Sequence, residues 1–201
     1  MDFPPICHAQ FKPGPPSEVA QTASQFIHEV IANSKVVDLA DLVVVSGKMA
    51  WVVNIDLVCL NHDGSVLDCA LKALVAALRN LCLPKVIVTE PDDDDELEES
   101  AKVSVDLDAE RDPLRLQGQP LGVSFGVFEG KIIVDPTIEE EKMSETVVTV
   151  VLDAETNDLV HFYKPGGVGL ARERLTEVTQ LAKKQLRSVT KLVDKAAPVK
   201  Y

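Results

Sequence analysis

Residues 42–89 restrict the possible folds of this chain more than any other stretch. Leu42–Val45 is a short apolar run closed by Ser46-Gly47, which predicts a strand buried on both faces. Ala50–Leu60 predicts a longer strand. Trp51, Val53, Ile55, Leu57 and Cys59 alternate onto one apolar face, while Asn54 and Asp56 mix the other. His62-Asp63-Gly64 makes a turn, and Ser65 followed by Asp68 reads as a capping-box start for a helix over 66–80. That helix is apolar nearly all round, which places it between layers, and Ala70, Ala73, Ala76 and Ala77 permit close approach to its neighbours. Residues 83–90 close the block as a further strand.

The flanks are simpler. Residues 1–16 contain five prolines and read as an extended lead-in. A helix is predicted over 17–33, with Ser17 as N-cap and Val19, Ala23, Phe26, Ile27 and Val30 at helical spacing. Residues 120–128 and 131–134 read as a hairpin turning at Glu129-Gly130, and residues 146–153 and 159–163 as a second, bent at Thr156-Asn157-Asp158. A closing helix over 170–196 carries an apolar stripe from Ala171 to Ala196. Glu173 and Glu177 lie early in it and Lys183, Lys184, Arg187, Lys191 and Lys195 late, as the helix dipole favours. Those cations read first as a solvated face, with phosphate contact as the alternative.

Length and charge then bound the class. The 201 residues, 46% apolar, suffice for one domain spanning 1–201, and no apolar run is long enough to span a bilayer. The start, Met1-Asp2-Phe3-Pro4-Pro5, lacks the basic and apolar regions of a signal peptide. The net charge of −12 is concentrated: Glu90–Asp112 alone carries −10. The run PDDDDELEES should stay solvated, and residues 90–118 are expected to form an acidic surface loop. Such a loop on a near-neutral domain does not exclude RNA binding elsewhere. Cys7, Cys59, Cys69 and Cys82 lack metal-type spacing and read as reduced core residues of an intracellular protein.

No local motif announces chemistry. Pro165-Gly166-Gly167-Val168-Gly169 precedes the last helix but fits neither phosphate-loop pattern, so it reads as a turn. His8, His28, His62 and His161 are scattered, and no serine or cysteine is flagged as a nucleophile. Neither a metal nor a cofactor is expected. Asp135 with Glu139-Glu140-Glu141 is the compact carboxylate group, at a strand end, where acid–base or metal work is conceivable and solvated loop acids are the default. Residue by residue, the reading ends at an α/β domain without a visible active site.

FKPGPPSEVAQTASQFIHEVI, SGKMAWVVNIDLVCLNHDGSVLDCALKALVAALRNLCLP, IIVDPTIEEE and FYKPGGVGL, taken in order, resemble the RNase PH-like ring subunits of the eukaryotic RNA exosome. The resemblance runs over most of residues 3–195 and is least in the acidic stretch. It implies the RNase PH fold (ribosomal protein S5 domain 2-like), a two-layer α/β domain of two βαββ-like halves. It also implies a place in a six-membered ring that threads single-stranded RNA. Implied partners are the other RNase PH-like ring subunits, the RNA-binding cap subunits and single-stranded RNA, with neither DNA nor a membrane. The implied locations are nucleus, nucleolus and cytoplasm. Family members carry further residues before the position of Phe3, including the first strands, so the sheet is expected to lack edge strands.

Active members of that family use phosphate to cleave RNA from its 3′ end, which requires arginines to gather two anions and acids near the leaving oxygen. By the resemblance, Leu67 stands where one arginine would be, residues 28–32 (His-Glu-Val-Ile-Ala) hold no permanent cation, and Glu141 is followed at the second acid position by Val147. The implied role is a non-catalytic structural and RNA-path subunit supporting rRNA maturation and mRNA turnover, with a phosphorolytic 3′–5′ exoribonuclease as the alternative. Lys12, in FKPGPP, is the candidate RNA contact.

Overall fold

The structure, a computed structural model, describes residues 1–89, 102–106 and 108–198. Helix α1 (Glu18–Ser34) starts where expected: Oγ of Ser17 accepts from the backbone N–H of Ala20 at 3.2 Å. It stops at Lys35, whose φ of 46° turns the chain away. A 3-10 turn (Leu39–Leu42) leads into β1 (Val43–Val45) and β2 (Met49–Ala50), an antiparallel pair. Helix α2 is Val66–Asn80, followed by β3 (Cys82–Leu83) and β4 (Lys85–Thr89). Then come β5 (Lys102–Asp106), β6 (Asp112–Pro113), β7 (Pro120–Phe128), β8 (Lys131–Val134), α3 (Ile138–Met143), β9 (Thr146–Asp153), β10 (Leu159–Tyr163) and α4 (Arg172–Ala196).

The main sheet runs β10-β9-β7-β8, antiparallel throughout. Period-2 alternation assigns its two faces. Leu121, Val123 and Phe125 pair with Leu152, Val150 and Val148, and all six pack with Val178, Ala182 and Leu186 of α4. Gly122, Ser124, Thr149 and Val151 point the other way. On that side α2 lies directly over β7 at Gly122, where a Cβ would stand 3.1 Å from Cα of Asp68. Beside it, Phe26 of α1 packs on Tyr163 and His161 of β10, at ring separations of 5.0 and 5.4 Å. The α/β class is as expected. Because helices cover both faces, the layering here is helix–sheet–helix, one layer more than anticipated.

The two hairpins and helices α1, α2 and α4 match the sequence reading to within two residues at each end. Four local expectations are corrected. Residues 51–60 are not a ladder strand: Val58 alone bridges Asp2, in parallel, and among the described residues no strand lies alongside 52–56. A strand needs a partner for its amides and carbonyls, and without one the alternation survives only in part, with Cys59 buried, Ile55 39% exposed and Val52 78% exposed. Val43–Val45 is an exposed-to-half-buried edge pair rather than a strand buried on both faces. Ser65 does not cap α2 with its side chain, because its φ of 47° turns the hydroxyl elsewhere. Of the cysteines, Cys7 and Cys59 are buried, Cys82 is half-buried and Cys69 is exposed.

The acidic run 90–101 lies outside the described residues. Within the stretch expected as loop, residues 102–106 form β5, which pairs with β4 from Lys85↔Asp106 to Thr89↔Lys102. Residues 112–113 form β6 against β3.

Candidate functional site

A cavity of about 640 Å³ opens between the N-terminal ends of α1 and α2, the α2-facing side of β7 and β9, and α3. The turn before α2 builds its rim. Gly64 has φ 85° and lies so close to the Pro136–Ile138 backbone that a side chain has no room there. Ser65 then crosses to α3: its hydroxyl donates to the carbonyl of Pro136 at 3.1 Å and its N–H donates to Oε1 of Glu141 at 2.8 Å. Glu141 is aimed there by the cap of α3, in which Oγ1 of Thr137 accepts from the N–H of Glu140 and the Glu140 carboxylate accepts from the N–H of Thr137 at 2.8 Å.

The floor is polar but uncharged. Hydroxyls of Ser124 and Thr149 bond each other at 3.0 Å across β7 and β9. Behind them Asp68 is 2% exposed, accepts from the N–H of Ser124 at 3.2 Å and pairs with Lys72 at 3.2 Å. Burial pushes its carboxyl above the ordinary range, Lys72 pulls it part of the way back, and nearby Asp135 adds to the rise. Tyr163 lines the mouth, its phenol raised by burial and then by Glu29.

The fold brings three of the positions singled out in the sequence, Leu67, Glu141 and Val147, onto the wall of this one cavity. Residues 28–32 do not line it. Among the described residues its wall carries one lysine, Lys142, with His62, two carboxylates (Glu18 and Glu141) and no arginine. The acidic group Asp135/Glu139–Glu141 is dispersed rather than convergent: Asp135 occupies a turn at φ 55°, Glu140 is spent on the cap, and Glu141 alone faces the cavity. Among the described residues no three His, Cys, Asp or Glu side chains form a metal-type group.

Lys12 lies elsewhere, exposed in a second groove of about 500 Å³ formed by the proline-rich lead-in and the start of α1, with Gln10 lining both. The lead-in is held by stacking of Phe3 on Phe11 at 4.9 Å and by His62, 5.7 Å from Phe11. Sequence reasoning missed the roles of His62 and Gln10; nothing local signals them, because the lead-in and the turn at 62–64 meet only in three dimensions. The glycine-rich stretch 165–169 is a turn, as read: Thr146 Oγ1 donates to the Gly166 carbonyl at 3.0 Å and the Val168 N–H to the Glu145 carbonyl at 3.1 Å.

Comparison with known proteins decides the family. Models of the 3′ exoribonuclease family match residues 1–84 as domain 1 and residues 118–185 as domain 2. Exosome complex component Rrp42 of Thermococcus gammatolerans is 32% identical over 96% of this chain and 67% of its own length. The chain belongs to the 3′ exoribonuclease family. Exosome complex component rrp43 of Schizosaccharomyces pombe is 34% identical over 91% of this chain, which spans 64% of that protein. A solved structure described as the Archaeoglobus fulgidus exosome with RNA bound to the active site superposes with a TM-score of 0.74 at 26% identity, covering 94% of this chain and 67% of that one. Leu67, Glu141 and Val147 line the same cavity although up to 80 residues apart in sequence.

Proposed function

We propose that this chain is a non-catalytic, architectural and RNA-path subunit of an exosome core ring. One observation carries the reading: Leu67 and Val147 share with Glu141 the wall of a cavity that, among the described residues, offers no guanidinium. Phosphorolysis must hold an attacking phosphate against a phosphodiester, two anions at close quarters, and a single lysine beside two carboxylates is too little positive charge to gather them. Its partners are other RNase PH-like ring subunits, RNA-binding cap subunits and single-stranded RNA, and its setting is rRNA maturation and mRNA turnover in nucleus, nucleolus and cytoplasm. Lys12, exposed in the groove of the proline-rich lead-in, contacts RNA in this reading.

The test is co-expression with the other ring subunits, native mass spectrometry of the product, and a phosphorolysis assay on it. The expected result is one copy per ring, and no change in phosphate-dependent release of nucleoside diphosphates when Glu141→Gln replaces the wild type. A second reading, phosphorolytic exoribonuclease, is favoured by the retention of Glu141 on the cavity wall. Phosphate-dependent release that Glu141→Gln abolishes would establish it and remove the first.

A further inference from the structure

On a chain of net charge −12, α4 presents a contiguous basic surface. Lys183, Lys184, Arg187 and Lys191 are all exposed. The first three line a cleft of about 450 Å³ with Asn157, and Arg187 and Lys191 line a second of about 320 Å³, again with Asn157. The clefts exist because the β9–β10 turn stands against the helix. Asn157 has φ 60° and donates its N–H to the Asp153 carbonyl at 2.9 Å, while Oδ1 of Asp153 accepts from Glu155 and Thr156 at 2.8 and 3.0 Å. Glu155 accepts from Gln119 Nε2 at 3.1 Å, and neither it nor Asp158 lines either cleft. Among the described residues the ion pairs of α4 are Arg174–Glu177 and Asp194–Arg79, which leave these four cations to solvent.

We infer that this face of α4 binds the phosphate backbone of single-stranded RNA, a site that rests on the RNA-path reading above but is separate from Lys12. Lys12 lies by the start of α1, whereas α4 covers the opposite face of the sheet. Lys184, Arg187, Lys191 and Lys195 step along the helix by three or four residues, an advance of about 4.5–6 Å each time, comparable to the phosphate repeat of an extended strand. Arg187, shared by both clefts, presents a planar fork that suits the paired oxygens of a phosphodiester.

The test is fluorescence anisotropy of a labelled oligouridine with the full chain over a series of salt concentrations. Replacing Lys183, Lys184 and Arg187 by alanine removes three phosphate contacts. The slope of log affinity against log salt is then expected to flatten by about 2, with at least about a tenfold loss at low salt. The charge-preserving variant Lys183→Arg/Lys184→Arg/Arg187→Lys should keep the wild-type slope. Circular dichroism checks folding, and Lys183→Gln/Arg187→Gln replaces the triple variant if it misfolds. An unchanged slope in the neutralised variant overturns the site. So does polyglutamate displacing the RNA as well as unlabelled oligouridine does, which would assign the face to an acidic polypeptide. A wild-type chain that stays out of rings yet loses RNA affinity on neutralisation supports this site while removing the ring reading.

Discussion

Ser65 and Glu141 join the two ends of the candidate site: the N–H of one donates to Oε1 of the other at 2.8 Å, 76 residues apart in the chain. Glu141 therefore acts as a tether whatever else it does. Glu141→Ala leaves the Ser65 donor without its charged acceptor, and the expected cost is about 1–3 kcal/mol of folding stability. Urea denaturation checks it, and Glu141→Gln, which keeps an acceptor oxygen, should recover part of the loss.

Leu67→Arg puts a guanidinium on the cavity wall and is expected to confer no phosphate-dependent exonuclease activity, because Val147 remains apolar beside it. The measurement is release of nucleoside diphosphate from oligouridine in orthophosphate buffer. Activity restored by this one change would show that a single cation had been limiting.

Asp68 supplies a pH signature. Its folded carboxyl is raised above the ordinary 3.8, chiefly by burial. A carboxyl raised on folding contributes most at low pH, and that contribution is lost as pH climbs from the unfolded value through the folded one. Asp68→Asn has no such loss. The stability difference between wild type and Asp68→Asn is therefore expected to shift in the variant's favour as pH rises from about 4 toward neutrality. Urea midpoints at several pH values test this, and a shift in the opposite sense would contradict burial as the dominant influence.

Gly122→Ala tests how tightly α2 lies on the sheet. The added methyl would stand 3.0 Å from Cβ of Asp68 and 3.3 Å from Cδ1 of Leu71, with both partners buried. A loss of about 1–3 kcal/mol is expected, read from the thermal midpoint.

Much of this architecture was legible in the sequence, and the exceptions share a cause. Helix α2 and the hairpins β7–β8 and β9–β10 carry their period or their turn within a few neighbouring residues, so local reading suffices. Residues 51–60 have the alternation of a strand, but a strand is a relation between two segments, and alternation cannot report whether the second is present. Ser65 looked like a cap because Asp68 follows at the right spacing; the left-handed backbone that sends its hydroxyl to Pro136 is imposed by contact with α3. Helix α3 was missed because six residues cannot display a helical period, although Thr137 and Glu140 spell a capping box in the sequence. Positions 67 and 147 were named only through resemblance, whereas Glu141 also stood out as part of the carboxylate group at the strand end. Their meeting in one cavity depends on α2 crossing β7 at Gly122, a long-range fact.

Among the described residues nothing pairs with the backbone at 52–56, and with Val52 at 78% and Leu60 at 76% exposure this stretch is the expected route of self-association. Open amides and carbonyls beside bare aliphatic side chains recruit whatever extended peptide they collide with. Loss of monomer is then a bimolecular process whose rate grows with the square of protein concentration. Dilution, more than cooling, will govern how long a sample stays dispersed.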